Sequence, residues 1–444
     1  MKTNTAASRP DKKEVVITGV GVVSPIGTGK DSFCSALYKG TSGIDHITLF
    51  DASRFPTTFA GEVRGFDPET LLAGTEVLKA TRERRVLMAA GAARQAVDDA
   101  GITADDMAEG KGGVILGAGV HPVIPEINRL MSSGIYPHLF DDDSPEVEKF
   151  EHFVEEDGSG ENRVYPIYNR ANGGTLAVAR QYRIAGPSHT VISACAAATQ
   201  AMGEAYHLIE RGELDIALSG GYDSMVFNFG VYAFCLLGLM STCNENPATA
   251  MKPFDLKRDG FALGEGAGVL VFEEKERALK RGATIYAEVA GYGASVDAYK
   301  VTDPHPEGTG AAIAMEKALS DAGMRPEEID YINAHGTATP KNDRIETMAI
   351  KKVFGKHAYS VAVSSTKSMI GHLMAAGGAL ELIATLLGMD TGFIHPTINY
   401  ETPDPHCDLD YVPNKAREVD FSTALSNSFG LGGQNGSIIV RKPR

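Results

Sequence analysis

The sequence predicts an α/β fold built from two similar halves, and two observations support this. Strand-like segments alternate with helix-like segments along the 444 residues, beginning with a strand at 14–19 and an amphipathic helix at 32–39. Such alternation is typical of buried sheets covered by helices. A strand, a turn of small residues and a helix rich in alanine and glycine also occur twice, at 190–209 and at 361–387. The repeat predicts an internal duplication.

The other elements fit the same pattern. Alanine content and apolar spacing at 86–99 predict a helix, and the apolar runs 113–117 and 216–221 are typical of strands. In the second half, a strand at 287–292 and a helix at 310–322 mirror the first strand and helix in order. The two halves are therefore expected to have the same topology.

The chain divides where a predicted helix ends near 275–285. This boundary gives an N-terminal half at 14–280 and a C-terminal half at 281–444. The polar residues 1–13 are expected to form a disordered tail. Residues 141–161 are strongly acidic and poor in strand formers, which predicts a solvated helix or a surface excursion.

Composition narrows the range of functions. The formal charge of −15 opposes nonspecific binding to nucleic acid or anionic lipid. Uninterrupted apolar runs of about 18 residues are absent, which argues against a membrane span, and residues 1–13 lack the apolar core of a secretory signal. Five cysteines without a C-x-x-C pair indicate reduced thiols in a cytoplasmic protein, not a disulfide framework or a local zinc motif.

A basic run at Lys79, Arg82, Arg84 and Arg85 contrasts with the acidic whole. An acidic protein partner would need such a local patch, because the overall charge would repel it. The default interpretation of such a run is a solvated helix face with no partner. The run is a candidate docking surface.

Cys195 is the most informative residue. The apolar run 191–192 leads through Ser193 and Ala194 to this cysteine, and small residues then open a helix. A thiol at a helix N-terminus faces free N–H groups and the positive end of the helix dipole, which favours its thiolate. A buried structural cysteine is the alternative at this point.

Two histidines also follow predicted strands. His335 comes after the strand-like segment 329–332, and His372 lies a short distance beyond 361–363. Two imidazoles could move charge and donate hydrogen bonds beside a cysteine nucleophile. Each histidine taken alone is more often structural, but three such elements together favour a catalytic site.

The glycine-rich runs do not indicate a nucleotide site. Gly19-Val20-Gly21 lacks the third glycine of the dinucleotide fingerprint and leads into Pro25, not into a helix. The run 430–433 also lacks a following helix. Both are expected to allow close backbone approach, and the second to form a flexible wall of a site.

Together these segments resemble the condensing enzymes of the thiolase superfamily, specifically the elongating β-ketoacyl-acyl carrier protein synthases. The resemblance spans about residues 15–441 and depends on several motifs that occur in order. They are VITGVG at 16–21, SAC at 193–195, KRDGF at 257–261, NAHGT at 333–337, Lys367-Ser368 with Gly371-His372, and NSFG at 427–430.

The resemblance implies a five-layered αβαβα fold of two thiolase-like halves, usually dimeric. It assigns Cys195 as the nucleophile that accepts an acyl chain from the phosphopantetheine of an acyl carrier protein. His335 and His372 would assist decarboxylation of a malonyl thioester and stabilise the enolate. Lys367 would have a structural and electrostatic role, with Glu381 as its ionic partner. The family requires no metal or redox cofactor.

The resemblance also assigns the substrate pocket. Thr337 and Thr339 would hydrogen-bond the pantetheine arm, and Phe261 would line the pocket. The oxyanion donors would be the N–H of Cys195 and one N–H of the gate loop, which comprises Phe429, Gly430, Leu431 and Gly432. Relatives of type II usually have phenylalanine where this chain has Leu431. We expect this departure to alter chain selection or its timing.

Four alternatives remain. A degradative thiolase needs a second late cysteine, and Cys407 lies in PHCD instead of a glycine-rich turn. The initiating synthases use Cys-His-Asn, whereas this chain has His372. A noncatalytic chain-length factor would lack Cys195, although the chain could be the active half of a heterodimer with such a subunit. A zinc site at Cys195, His335 and His372 lacks local ligand spacing.

Overall fold

The computed structural model describes residues 12–108, 111–120 and 170–443. Most of its longer strands are apolar runs buried on both faces, as β1 shows with ten buried residues in sequence. The strands are β1 Val15–Ser24, β2 Gly27–Thr28, β3 Ile44–His46, β4 Phe59–Gly61, β5 Gly112–Ala118, β6 Ser188–Val191, β7 Ile216–Ser224, β8 Glu265–Glu274, β9 Ala287–Val296, β10 Tyr331–Asn333, β11 Ala362–Ser364, β12 Phe393–Ile394, β13 Arg417–Glu418, β14 Thr423–Phe429 and β15 Gln434–Arg441.

The helices alternate with these strands. They are α1 Lys30–Lys39, α2 Pro68–Leu71, α3 Val77–Ala80, α4 Arg84–Ala100, α5 Ala104–Ala108, α6 Gly173–Gln181, α7 Ala197–Glu210, α8 Asn228–Leu236, α9 Lys275–Lys280, α10 Thr309–Ala322, α11 Pro340–Phe354, α12 Lys367–Ile370 and α13 Gly377–Thr391.

The sheet repeats one pairing pattern in both halves. In the first, β5 lies parallel to β6 and β7, β8 is antiparallel to β7, and β1 is antiparallel to β8. In the second, β10, β11, β14, β15 and β9 repeat those relations in the same chain order. The two sets join where β1 pairs with β9. The predicted duplication is confirmed.

The helices form three layers around the two parts of the sheet. Helix α4 covers the outer face of β1, β7 and β8, while α10 covers β9 and β15. Between them, α7 and α13 pack against each other and against strands of both halves. The largest cluster of buried apolar side chains lies in this central layer. The order αβαβα is therefore the one that the resemblance implies.

Two glycines of β1 set the distance to α4. A Cβ atom at Gly19 would lie 2.3 Å from the Ala96 carbonyl oxygen, and one at Gly21 would lie 1.9 Å from the Ala92 carbonyl oxygen. Only glycine permits this contact between strand and helix. The expected close backbone approach at this run is confirmed.

Some boundaries differ from the prediction. The helix predicted at the end of the unit 361–387 begins later than Gly371, because Gly371 and Met374 have φ angles of 77° and 47° and break the helical path between α12 and α13. Two residues of the predicted tail are bound to the fold, since Lys13 N–H donates to the Glu210 carbonyl at 3.0 Å and Lys12 pairs with the Glu210 carboxylate. Residues 1–11 lie outside the described residues. The acidic segment 141–161 lies outside the described residues. Among the described helices, none is long and apolar enough to cross a membrane.

Candidate active site

Cys195 lies in a strained turn at the carboxyl end of β6. Strand β6 ends at Val191, a 3-10 turn spans Ala194–Ala196, and α7 then begins. Ala194 has a φ of 50°, which is rare for a residue with a Cβ atom. The turn aims the sulfur into the cavity, although the residue is only 4% exposed.

His372 faces the sulfur with a fixed tautomer. Its Nε2 lies 3.1 Å from Cys195 Sγ, and its Nδ1 lies 3.3 Å from the backbone nitrogen of Met374. That backbone N–H can only donate, so Nδ1 of His372 must accept and the ring hydrogen must be on Nε2. The imidazole therefore points an N–H donor at the sulfur.

His335 has the same tautomer for a different reason. Its Nδ1 lies 3.2 Å from Nζ of Lys367, whose ammonium group also only donates. Lys367 in turn contacts the Glu381 carboxylate, and both side chains are at most 1% exposed. The second imidazole ring lies 5.4 Å from the first, edge to face. Two N–H donors thus lie near one another beside Cys195.

The electrostatics of the cavity keep both imidazoles neutral. Burial, and then the charge of Lys367, hold the pKa of His335 and of His372 well below the usual value of 6.5. Burial also raises the pKa of Cys195 to about 11, against smaller lowering by the Leu431 N–H and Lys367. Desolvation therefore opposes the thiolate that the helix start is expected to favour, while the N–H groups of Leu431 and Cys195 and the charge of Lys367 favour it.

The gate loop 429–432 lies directly over the sulfur. A Cβ atom at Gly430 would be 2.9 Å from the Ser193 carbonyl oxygen and 3.3 Å from the Cys195 nitrogen, so the loop needs glycine here. The N–H groups of Leu431 and of Cys195 are the two backbone donors that lower the thiol pKa. Both predicted oxyanion donors therefore lie beside Sγ.

These groups lie at the floor of a cavity of about 490 Å³. Thr337 and Thr339 line it with their hydroxyl oxygens 3.0 Å apart, and Thr339 also caps α11. Phe261 packs edge to face on His372 at 5.2 Å, and Phe429 on His335 at 5.7 Å. The cavity therefore combines an apolar wall with a path of hydroxyl groups.

Glu346 supports the His335 turn and was missed by sequence reasoning. Its two carboxylate oxygens accept the N–H groups of His335 and Gly336, each at 2.8 Å. Burial raises its pKa to about 7 despite those two hydrogen bonds. Its position eleven residues after His335 on α11 carries no motif that sequence alone could have used.

Arg258 is a second supporting residue. It lies in the quoted KRDGF motif, but its contacts were not predicted. Its guanidinium donates to the Thr339 and Pro340 carbonyl oxygens at 3.2 and 3.0 Å and pairs with Asp404 at 2.7 Å. Arg258 therefore fixes the backbone that carries the two pocket threonines.

The zinc alternative does not fit the donor set. Ligand atoms of Cys195, His335 and His372 lie within 4.8 Å of one another. A histidine that binds zinc through one nitrogen usually donates the other N–H to an acceptor. Here the Nδ1 atoms of both histidines face donors, so their Nε2 atoms carry hydrogen and cannot bind a metal.

None of the other four cysteines lines the cavity. All five are free thiols. Cys407, which a degradative thiolase would need, is buried in the core of the second half and does not line the cavity. Burial raises its pKa to about 12. Cys195 therefore has no second cysteine beside it in the cavity that could act as a general acid or base.

The basic run divides into two parts. Side chains of Lys79 and Arg82 are 76% and 61% exposed, although each has a nearby glutamate. Arg84 forms hydrogen bonds with Glu265, and Arg85 is fully buried and donates to the Gly119 carbonyl. Arg85 is therefore excluded from a docking surface. The Arg84 guanidinium is held by Glu265 within the fold.

The fold and the cluster of Cys195, His335 and His372 define a thiolase-like acyltransferase. Comparison with models of known protein families supports the same class. Residues 12–278 match the β-ketoacyl synthase N-terminal domain, and residues 286–401 match the β-ketoacyl synthase C-terminal domain. The chain belongs to the β-ketoacyl synthase family.

Similar proteins cover nearly the whole chain. The 3-oxoacyl-[acyl-carrier-protein] synthase 2 of Coxiella burnetii is 42% identical, over 97% of this chain and 99% of that protein. The Synechocystis synthase of the same name is 40% identical, over 97% of this chain and 99% of that protein. Among solved structures, the ishigamide ketosynthase/chain length factor is 37% identical with a TM-score of 0.84, over 98% of this chain and 100% of that chain.

Proposed function

We propose that the protein is a β-ketoacyl-acyl carrier protein synthase that joins an enzyme-bound acyl chain to malonyl-carrier protein with loss of CO₂. The observation that carries this proposal is the pair of neutral imidazoles whose Nε2–H groups flank Cys195, one of them 3.1 Å from Sγ. Donors in this arrangement suit oxygen anions that form during acyl transfer and decarboxylation.

The first half-reaction loads the cysteine. Sγ of Cys195 attacks the acyl thioester, the bond from carbonyl carbon to carrier sulfur breaks, and the carrier leaves as a thiol with the Cys195 proton. The N–H groups of Cys195 and Leu431 hold the tetrahedral oxygen anion. One such donor contributes about 2.7–4 kcal/mol to lowering the barrier.

The second half-reaction extends the chain. The malonyl carboxyl carbon leaves as CO₂, and its bonding electrons form an enolate whose oxygen accepts the Nε2–H groups of His335 and His372. The enolate carbon then attacks the acyl group on Cys195, the carbon–sulfur bond breaks, and the thiolate takes a proton from solvent. Atoms and charge balance without a metal or redox cofactor.

The partner on this proposal is an acyl carrier protein. A structure that is 33% identical with a TM-score of 0.82 is described as a type II polyketide acyl-carrier protein in complex with its ketosynthase. Lys79 and Arg82 are exposed cations that would suit an acidic partner. Free thiols at all five cysteines fit a reducing cytoplasm.

A heterodimer with a chain-length-factor-like subunit is the second candidate, alongside a homodimer. The similarity to the ishigamide ketosynthase/chain length factor favours it. Strand β6 has only β5 as a neighbour in the described sheet, which leaves an edge able to pair with another subunit. Co-purification of a similar chain without the cysteine would support the heterodimer, and an active dimer of this chain alone would refute it.

Incubation with acyl-carrier and malonyl-carrier proteins tests the function. Mass measurement should find the acyl group on Cys195 and a carrier-bound 3-oxoacyl product two carbons longer. Cys195→Ala is the matched control and should form neither. Absence of acyl-enzyme and product in the parent protein would contradict the proposal.

A further inference from the structure

One continuous segment leads from the catalytic floor to the mouth of the cavity. His335 and Thr337 are 2% and 5% exposed, Thr339 is half-buried, and the Lys341 side chain is 66% exposed. All four line the same cavity. Six residue steps span at most about 20 Å, so Lys341 marks the outer end of a short, wall-lined path.

An ion pair crosses this mouth. Lys341 Nζ lies 2.6 Å from Oδ1 of Asp303, which comes from the segment that follows β9. Lys300 Nζ lies 3.8 Å from the other oxygen of Asp303, and its side chain is 59% exposed. Two cations thus share the Asp303 carboxylate, on a protein whose net charge is −15.

The other acids of the mouth are held by the protein. Asp297 accepts the Asn435 amide at 2.9 Å and the His305 N–H at 2.8 Å. Asp259 accepts the Thr242 N–H at 3.2 Å. Asp303, by contrast, is bound only through lysine side chains among the contacts described, and these can exchange partners without unfolding the backbone.

We propose that Lys341, together with Lys300, binds the phosphodiester of the substrate's phosphopantetheine arm, and that Asp303 is the placeholder that the phosphodiester displaces. The inference rests on the proposed function, because that reaction brings a thioester to Cys195 at the end of such an arm. With the thioester at the floor, the arm passes Thr337 and Thr339, and its anionic end lies at the mouth beside Lys341. The ammonium group of a lysine is a compact positive charge on a flexible side chain, and such a group binds phosphate well.

A purely structural latch between Lys341 and Asp303 is the rival interpretation, and charge removal separates the two. If the pair only holds two loops together, Lys341→Ala and Asp303→Asn should have the same effect. If Asp303 competes with phosphate, Asp303→Asn should free both lysines and strengthen anion binding. The two substitutions then act in opposite directions.

Calorimetry with two probes tests the site without turnover. The probes are pantetheine and the methyl diester of phosphopantetheine, and the readout is the ratio of their Kd values. The parent protein should bind the diester more tightly, and Lys341→Ala should reduce this preference about three- to tenfold. Asp303→Asn should maintain or increase it, and added salt should weaken it. Lys352→Ala, on the exposed face of α11, is the matched control.

Equal binding of both probes by the parent would overturn the inference, as would an Asp303→Asn effect that matches Lys341→Ala. Turnover is measured separately with carrier-bound substrates. Failure to form the 3-oxoacyl product would count against the proposed function, while the binding ratio would still decide the role of Lys341.

Discussion

Replacing Lys367 with methionine should separate the two half-reactions. The change removes the ammonium group 3.2 Å from Nδ1 of His335 while keeping a long side chain. Nothing then fixes the hydrogen on Nε2, and one of the forces that keeps this imidazole neutral is lost. Loss of one donor to the enolate oxygen corresponds to about 2.7–4 kcal/mol, or roughly 10²–10³ in rate. Acyl transfer should fall less, because its donors are the N–H groups of Cys195 and Leu431 and the charge of Lys367 lowers the thiol pKa less than the Leu431 N–H does.

The assay measures both steps on one preparation. CO₂ release from malonyl-carrier protein reports decarboxylation, and the mass of the enzyme reports acyl loading of Cys195. Equal losses in the two rates would refute the assignment of Lys367 to the decarboxylation site, because only one set of donors depends on it.

A double variant controls for folding. Lys367→Met alone leaves the fully buried Glu381 without its cation, and breaking such a pair costs about 3–5 kcal/mol. Lys367→Met with Glu381→Leu removes both charges and should recover most of that stability in urea unfolding. Decarboxylation should stay low in the double variant. Its recovery together with stability would mean that the single variant was merely misfolded.

Three further predictions concern the gate, the docking surface and pH. Leu431→Phe should shift kcat/KM towards shorter acyl chains by about tenfold, and identical chain-length profiles would count against a gate role. Lys79→Glu with Arg82→Glu should raise KM for carrier-bound substrate about tenfold more than KM for a small thioester, whereas unchanged carrier KM would reject that surface. Because His335 and His372 have pKa values well below 6.5, decarboxylation should stay constant as pH falls from 7.5 to about 5.5 in a Glu346→Gln variant, which removes the neighbouring carboxyl group whose pKa burial raises to about 7. A titration limb at the ordinary histidine pKa would contradict their neutral state.

The same histidines predict how stability depends on pH. Folding lowers their pKa values, so the unfolded chain binds more protons than the folded chain once the pH falls below 6.5. Their contribution to stability is therefore complete above that value and declines on acidification. The difference in thermal unfolding between the parent and a His335→Asn, His372→Asn variant, measured from pH 7.5 to 5.5, isolates this decline from the opposite contribution of Glu346, whose pKa is raised to about 7.

The architecture could be predicted because its signals are local. Apolar runs such as that in β1 and alanine-rich helices such as α4 show their period within a few residues, and the repeated strand–turn–helix units indicate duplication. Breaks within a predicted helix were harder to predict. The break between α12 and α13 depends on positive φ at Met374, and a methionine gives no local sign of this conformation.

Candidate site residues could be found where a motif marks them. Cys195, His335 and His372 each follow a strand, and the structure places them in one cavity. Glu346 and Arg258 act through backbone N–H and carbonyl groups that only the folded chain brings near. The predicted docking surface includes arginines that pair within the fold for the same reason. The charge of Arg84 is visible in the sequence, but its partner Glu265 lies far along the chain.

The raised pKa of Cys195 means that the residues of the cavity must stabilise negative charge on the sulfur during attack. A thiol with a pKa of about 11 is almost wholly protonated at neutral pH, so nucleophilic attack needs the negative charge to be stabilised as it forms. His372 cannot remove the proton, because its Nε2 already carries one. The same N–H that faces Sγ can, however, donate to a developing thiolate and later to the enolate oxygen. On the proposed mechanism, the site lowers the energy of anions on sulfur and then on oxygen. The neutral tautomers fixed by the Met374 N–H and by Lys367 would make this possible without a general base.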